Sequence, residues 1–370
     1  MIERNTFRKR HKYFGAVLSE ALRPLLLQHA RRRSPPPSHP DSWRRGLLLG
    51  ANHIGDVLYN TSSLPALQRR WPQCQWNWLT AEPAAQALRG NPSIASLLTR
   101  AEAEECAGRQ PFDAVICYNT GQYLPDLRFA LKLGIPNRIG YVHKGFSAWV
   151  THPIRIAYPQ PFPAYFRDLV SQLTGQEGTW PLRPQVFPEP AALLAAEEAW
   201  GRLARSPLKT LACFVTSRQP SGVWPPQKFG ETLRLLLQEF PCRIVLCGAP
   251  SDEEILQQVR QTHAPSAEIL AGKLSLGALV AFLRKCHAVL STDSGPRHLA
   301  NAAGSPLVFI RNLYHHGVEA GVYCDTEFDM APPGGMLDST EQARVFERLA
   351  PATVSAQLAS ILRSSAAEPV

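Results

Sequence analysis

The sequence predicts an α/β protein built from two successive parallel-sheet domains. Short apolar runs alternate with helix-length segments on both sides of one proline-rich interval. The chain has 370 residues, the length of two domains at about 150 residues each. No uninterrupted apolar run approaches the ~18 residues of a membrane-spanning helix. Apolar residues make up 45% and charged residues 19%, enough to bury a core in each half. The 33 prolines are scattered through strand-like and helix-like runs, which argues against a low-complexity chain.

Residues 1–45 come first and differ from everything after them. They hold eleven Lys or Arg and three acids, so +8 of the net charge of +9 lies here. A protein that coats nucleic acid would spread its positive charge more widely, so no nucleic-acid partner is expected. From Thr6 to Arg33 the segment reads as a basic helix with an apolar stripe of Phe7, Phe14, Val17, Leu18, Leu22, Leu25 and Leu26. Arg31–Arg33 and the run Ser34-Pro35-Pro36-Pro37 end it. Such a helix suits an anionic membrane surface, into which the stripe dips. Packing of the segment on its own protein is the other reading, and an Arg-rich, acid-poor transit peptide is a third. Charge interrupts every apolar core that a secretory signal would need.

Residues 46–180 form the first expected domain, with strands at Leu47–Ala51, Trp76–Thr80, Asp113–Tyr118 and Arg138–Tyr141. Residues 181–190 read as a Pro-rich linker. Residues 191–350 form the second domain, with strands at Thr210–Thr216, Arg243–Gly248, Glu268–Leu270, Ala288–Thr292 and Leu307–Ile310. Residues 351–370 are a C-terminal helix and tail. Strands spaced by helices imply parallel sheets with right-handed crossovers, and ligands then bind beyond the carboxyl ends of the strands. No internal repeat is visible in the sequence. The eight cysteines include no Cys-x-x-Cys pair, and several sit inside apolar runs, such as Cys117 and Cys213. They read as core residues in a reducing compartment, with the cytoplasm as the default.

Three short stretches carry chemistry. In the first, the strand ending at Gly50 turns through Asn52-His53-Ile54-Gly55 into a helix that opens with Asp56. An Asp there complements the helix N-terminus; its alternative role is a general base, with His53 and Gly55 as neighbouring cleft residues. The second is the strand–turn–helix–strand unit Ala288–Ile310. There Asp293-Ser294-Gly295 turns the chain, Pro296 opens a helix and Gly304 closes it. The opening of that helix offers amides and a positive dipole end to an anion such as a diphosphate, with Asp293 and His298 to orient a sugar or phosphate. His298 as a satisfied core residue is the plain alternative. In the third, Thr216, Ser217 and Arg218 follow a strand and suit phosphate oxygens. Asp252 follows the next one and suits ribose hydroxyls or, equally, a helix start.

These stretches resemble glycosyltransferase family 9, the bacterial ADP-heptose:lipopolysaccharide heptosyltransferases. GDVLYNTSSLPALQRRWP resembles the family's N-terminal signature, and KLSLGALVAFLRKCHAVLSTDSGPRHLANAAGSPLVFI resembles its C-terminal signature around Asp-Ser/Thr-Gly-Pro-x-His-Leu. NRIGYVHKGFSAWVTHP, WPPQKF and CGAPSDEE resemble landmarks between them, so the resemblance runs from about residue 46 to 345 and leaves residues 1–45 outside.

The resemblance implies a GT-B fold, two Rossmann-like domains facing a central cleft, here with a basic N-terminal helical extension. The first domain would bind the acceptor and the second the nucleotide-sugar donor, which the resemblance implies is ADP-heptose. It implies inverting transfer to a hydroxyl of a lipopolysaccharide core or other envelope glycan, with no metal and no cofactor. Asp325-Thr326-Glu327 is the nearest string to a metal-binding Asp-x-Asp and lacks its setting. Asp56 matches the family's base; Asp293, Ser294, Gly295 and His298 match its donor loop; Thr216 and Ser217 match a phosphate-contacting pair. Related enzymes carry a Lys just before the Trp-Pro of the third stretch, whereas Gly222 and Val223 precede Trp224 here, leaving Arg218 or Lys228 to neutralise the diphosphate. Ser62 also replaces a Pro. The expected location is the cytoplasm, peripheral on the inner membrane's cytoplasmic face. A catalytically silent relative that binds nucleotide or glycan, and a heptosyltransferase that modifies protein, are the alternatives.

Overall fold

In the computed structural model, residues 16–50, 52–120, 123–143, 145–203, 207–217, 224–331 and 336–365 are described. They divide into two compact units: the first holds the chain to Tyr158 and Ala164–Trp180, the second Pro159–Pro163 and the chain from Pro181.

The first unit contains six strands: β1 (Arg45–Leu49), β2 (Gln75–Leu79), β3 (Ser96–Leu98), β4 (Ala114–Cys117), β5 (Asn137–Tyr141) and β6 (His152–Ile154). All pair in parallel, in the order β3-β2-β1-β4-β5-β6. The central strands are buried along nearly their whole length because helices cover both faces, which is why they read as unbroken apolar runs. Leu47 and Leu49 join one core and Leu48 the other. Trp43, Trp71, Trp76 and Trp78 fill the second of these, with Trp43 stacked on Trp71 at 4.9 Å between centroids.

The second unit contains β7 (Thr210–Cys213), β8 (Arg243–Leu246), β9 (Glu268–Ile269), β10 (Ala288–Thr292), β11 (Leu307–Ile310) and β12 (Glu327–Asp329). Its order is β12-β11-β10-β7-β8-β9, again all parallel. Counted from its own first strand, this is the same 3-2-1-4-5-6 winding as the first sheet, the order of a Rossmann fold. The repeat lies in topology, where the sequence shows none. Helix Pro351–Ser364 buries Val354, Leu358 and Leu362 in this unit's core, so the expected C-terminal helix is present.

Six expected strands end earlier than their apolar runs do. They stop at Leu49, Leu79, Cys117, Cys213, Leu246 and Ile269, and the residues beyond Leu49, Cys213 and Leu246 lead into turns that carry candidate side chains. All eight cysteines are free, and all but Cys106 are buried.

In the N-terminal segment, residues 16–21 and Arg23–Arg33 are helical, with Pro24 in the first turn and Ser34 as C-cap. The part of the expected helix before residue 16 lies outside the described residues. The segment packs on the first unit: Ala30 is buried, Leu26 and Leu27 line the core beside Trp149, and Trp149 Nε1 donates to Leu26 O at 3.2 Å. Val17, Leu18, Leu22 and Leu25 stay exposed, at 65, 46, 41 and 63%.

Candidate functional site

In each sheet the crossover point, where successive connections leave toward opposite edges, lies between the first and fourth strands: β1 and β4 in one unit, β7 and β10 in the other. Loops diverge there and leave room for a ligand at the carboxyl ends of the strands.

In the first unit, β1 leaves through Gly50 into helix Ile54–Asn60. A side chain at Gly50 would put its Cβ 2.0 Å from the Tyr118 ring, so glycine here lets Tyr118, just past β4, close over the crossover point. His53 is the N-cap, in extended conformation and exposed; Gly55 lies in the first turn, and Asp56 follows it, half-buried. The acid thus sits where it complements the helix dipole, as the plain reading expects. It is also held from the side: Tyr59 donates its hydroxyl to Asp56 Oδ1 at 2.9 Å, and Asn60 Nδ2 donates to Asp56 O at 2.6 Å. Burial, reinforced by the neighbouring Asp56 charge, pushes the Tyr59 phenol well above its ordinary range, so Tyr59 remains a donor. Sequence reasoning missed Tyr59, although it lies three residues after Asp56 on the same helical face.

In the second unit, Thr216 and Ser217 lie just past β7 and Asp293–Gly295 just past β10. The structure brings these two turns together. Thr292 Oγ1 donates to Thr216 O at 3.2 Å and lies 2.8 Å from Ser294 Oγ. Ser294 is the N-cap of helix Gly295–Ala303, Pro296 sits in its first turn, and Gly304 ends it in the left-handed region at φ 77°.

Asp293 and His298 are engaged with protein groups. Asp293 Oδ1 accepts from Arg297 Nη1 at 2.8 Å, and Asp293 Oδ2 accepts from Asn312 N at 3.2 Å. His298 Nδ1 lies 2.6 Å from the Tyr323 hydroxyl, and the two rings stack. Burial, and then the Arg297 charge, push the His298 pKa well below its ordinary range, so its imidazole is neutral. The satisfied-residue reading of His298 therefore describes its Nδ1 side.

Asp252 stands past β8, the neighbour of β7, and its Oδ2 accepts from Ala249 N at 2.8 Å, fastening the turn that opens helix Glu253–His263. That is its helix-start role. Arg218 lies outside the described residues. The other cation expected near the diphosphate is committed elsewhere: Lys228 Nζ donates to the carbonyls of Phe346, Glu347 and Leu349 at 3.2, 2.6 and 3.3 Å. It sits at the end of helix Ser339–Arg348, where it adds a cation to the last carbonyls; Phe346 O also accepts from Leu349 N and Trp224 Nε1.

A family model described as glycosyltransferase family 9 (heptosyltransferase) matches residues 109–312. Lipooligosaccharide heptosyltransferase 2 of Haemophilus influenzae is 23% identical over 290 residues, covering 71% of this chain and 81% of that protein. Among solved structures, a glycosyl transferase family 9 protein from Veillonella parvula superposes with a TM-score of 0.74 at 19% identity, covering 89% of this chain and all of that one. The E. coli heptosyltransferase WaaC with ADP gives a TM-score of 0.64 at 19% identity, covering 85% of this chain and 99% of the other.

Proposed function

The chain belongs to glycosyltransferase family 9, with the GT-B fold and the transferase chemistry of that family, and on this premise we propose that it moves heptose from ADP-heptose to a hydroxyl of a lipopolysaccharide core with inversion. The observation that carries the reading is the placement of Asp56: a half-buried carboxylate, braced by Tyr59, at the crossover point of the first sheet.

In the proposed reaction the acceptor hydroxyl gives its proton to Asp56 as its oxygen bonds to the anomeric carbon. The bond from that carbon to the ADP oxygen breaks on the opposite face, and ADP leaves with the electron pair. A positioned base contributes about 10²–10⁴-fold to such a step. The leaving diphosphate is met by the turn that joins Thr216 to Ser294 and by the opening of helix Gly295–Ala303, dipoles already fixed before the reaction begins. Ser217 and the side chain of Arg218 complete this set in the proposal, and Asp252 takes the ribose. Neutral His298 orients the sugar rather than supplying charge.

The transfer is proposed to need no metal, and the proposed place of action is the cytoplasmic face of the inner membrane, reached through residues 1–45. Exposed Val17, Leu18, Leu22 and Leu25 beside exposed Arg31–Arg33 support that contact.

The deciding experiment incubates the purified protein with ADP-heptose and lipopolysaccharide core acceptor and follows ADP release, with and without a chelator. Heptosylated product at equal rates in both supports the proposal. Loss of activity on chelation, restored by added metal, defeats the metal-free mechanism. A thermal-shift screen across ADP-, UDP-, GDP- and CMP-sugars tests the donor separately, because a ligand of the native form raises apparent stability.

A further inference from the structure

Arg297 is among the largest fully buried side chains of the protein. Besides Asp293, it reaches Glu327 Oε1 through Nε at 2.6 Å, Ala320 O through Nη1 at 2.7 Å and Gly321 O through Nη2 at 2.6 Å. Its guanidinium carbon lies 3.7 Å from the centroid of the Phe309 ring. Burial opposes its charge, but Asp293 and Glu327 outweigh burial and raise its pKa. Glu327, whose side chain is fully enclosed, also accepts from Asn301 Nδ2 at 2.8 Å. Its other oxygen accepts from Tyr323 N at 2.7 Å and Cys324 N at 3.2 Å.

These contacts close a circuit. Asp293 binds Arg297, Arg297 binds Glu327, Glu327 holds the backbone of Tyr323, and the Tyr323 hydroxyl meets His298. Both ends of the circuit are in the donor motif; its other members are not residues for which the motif has a role. Stability alone explains such a cluster poorly. Apolar side chains of similar volume fill buried space at no electrostatic cost, and one guanidinium between two carboxylates leaves a surplus of negative charge inside the unit.

We infer that Arg297 and Glu327 are positioning residues for the nucleotide-sugar: they fix Asp293 and the Tyr323–His298 pair in one geometry, which the donor reads as a unit. The inference rests on the Asp293–His298 turn being the donor site.

The test uses the full chain and ADP as probe. Glu327→Gln removes charge at nearly constant shape, Arg297→Lys keeps charge but not the fork, and Tyr323→Phe removes only the hydroxyl facing His298. Melting temperature, calorimetric ADP affinity and the KM for each substrate are measured for all three and for Arg297→Met. In Glu327→Gln the amide nitrogen cannot accept the two bonds that one carboxylate oxygen holds, and loosening of the turn predicts at least roughly tenfold weaker ADP binding and a matching rise in donor KM, with acceptor KM unchanged. Arg297→Lys is expected to bind ADP more tightly than Arg297→Met. Folded variants that bind ADP as the unaltered protein does overturn the inference while leaving the donor site standing.

If the buried variants do not fold, hydrogen exchange on the unaltered protein decides. ADP should slow the Tyr323 and Cys324 amides together with those of residues 293–298, and slowing of residues 293–298 alone overturns the circuit. An unaltered protein that does not bind ADP overturns the donor reading, and this inference with it.

Discussion

The Tyr59 hydroxyl donates to Asp56 Oδ1 across 2.9 Å, one helical turn along the same short helix. The bond restrains a carboxylate that would otherwise rotate about χ2, so in the proposed mechanism it bears on how often that carboxylate meets an acceptor hydroxyl in a reactive geometry. Asp56→Asn is therefore expected to lower kcat by about 10²–10⁴-fold while ADP affinity, measured calorimetrically, stays within twofold. Tyr59→Phe should give a milder loss, roughly tenfold in kcat, with both KM values preserved. An Asp56→Asn enzyme with full turnover removes the base from the mechanism. A normal kcat in Tyr59→Phe alone shows only that the brace is dispensable.

Substitution separates Lys228 from Arg218. Lys228 donates to three carbonyls at the end of helix Ser339–Arg348, so Lys228→Ala takes the cation from all three, although Phe346 O keeps Trp224 Nε1 at 3.1 Å and Leu349 N at 3.2 Å. The expected cost is about 1–2 kcal/mol, read as a lower denaturant midpoint at unchanged ADP affinity. Arg218→Ala is expected to do the reverse, weakening ADP binding about tenfold with the midpoint unmoved. If Lys228→Ala is the variant that loses ADP, the lysine reaches the nucleotide despite its carbonyl partners.

The contrast between Lys228 and Glu327 shows where sequence reading stops. β1, β4, β7, β10 and β11 were legible because both faces of an interior parallel strand are covered, which leaves a continuous apolar run. β3, β6 and β12 sit on or beside the sheet edges, are three residues long and include polar groups or proline, as Ser96, Pro153 and Glu327 show, so no run marks them. The turns after β1, β7 and β10 were legible as motifs, but what their side chains touch was not. Glu327 lies in Asp325-Thr326-Glu327, which the sequence marks only as an Asp-x-Asp-like string without the setting for a metal, and only the fold brings Arg297 to it from 30 residues earlier. Arg297 itself carried a local signal, since an Asp four residues before an Arg on a helix shares its face. Lys228 looked available because nothing in the sequence reports that a helix from residues 339–348 ends beside it.

Asp126 gives a pH-dependent prediction in the first unit. It lies in the first turn of helix Tyr123–Lys132, and its Oδ2 has no hydrogen-bond partner among the described residues. Burial raises its pKa from 3.8 to about 6, against the opposing charge of Arg100. A folded-state value above the unfolded one means that the native protein holds a proton the unfolded chain has lost between these pH values. Stability contributed by this group therefore falls as pH rises from about 4 to about 6 and stays low above that. Asp126→Asn removes the penalty. It should stabilise the protein by about 3 kcal/mol at pH 7.5 and by much less at pH 4, seen in denaturant midpoints at the two pH values. An equal gain at both would mean that the effect comes from shape rather than charge.

The N-terminal segment carries the last prediction. One side of its helix is already spent on the first unit through Leu26, Leu27, Ala30 and the bond from Trp149, and the exposed leucines and Val17 lie on what remains. Residues 16–20 pack beside the loop that follows β5: Phe146 N donates to Ser19 Oγ at 2.9 Å, and Ser147 Oγ donates to Glu20 at 2.7 Å. That loop leaves the carboxyl edge of the first sheet, the same edge from which the Asp56 turn leaves β1. A bilayer touched by Val17, Leu18, Leu22 and Leu25 would thus lie on the acceptor side of this unit. Each basic residue near an anionic surface contributes about 1 kcal/mol, so co-sedimentation with phosphatidylglycerol vesicles should be strong at low salt and weak with phosphatidylcholine alone. Replacing Leu22 and Leu25 with Asp should abolish it without changing turnover of a soluble acceptor fragment, because both side chains are exposed. Vesicle binding that survives the Leu22→Asp and Leu25→Asp changes would assign the contact to charge alone and leave the apolar stripe without a role.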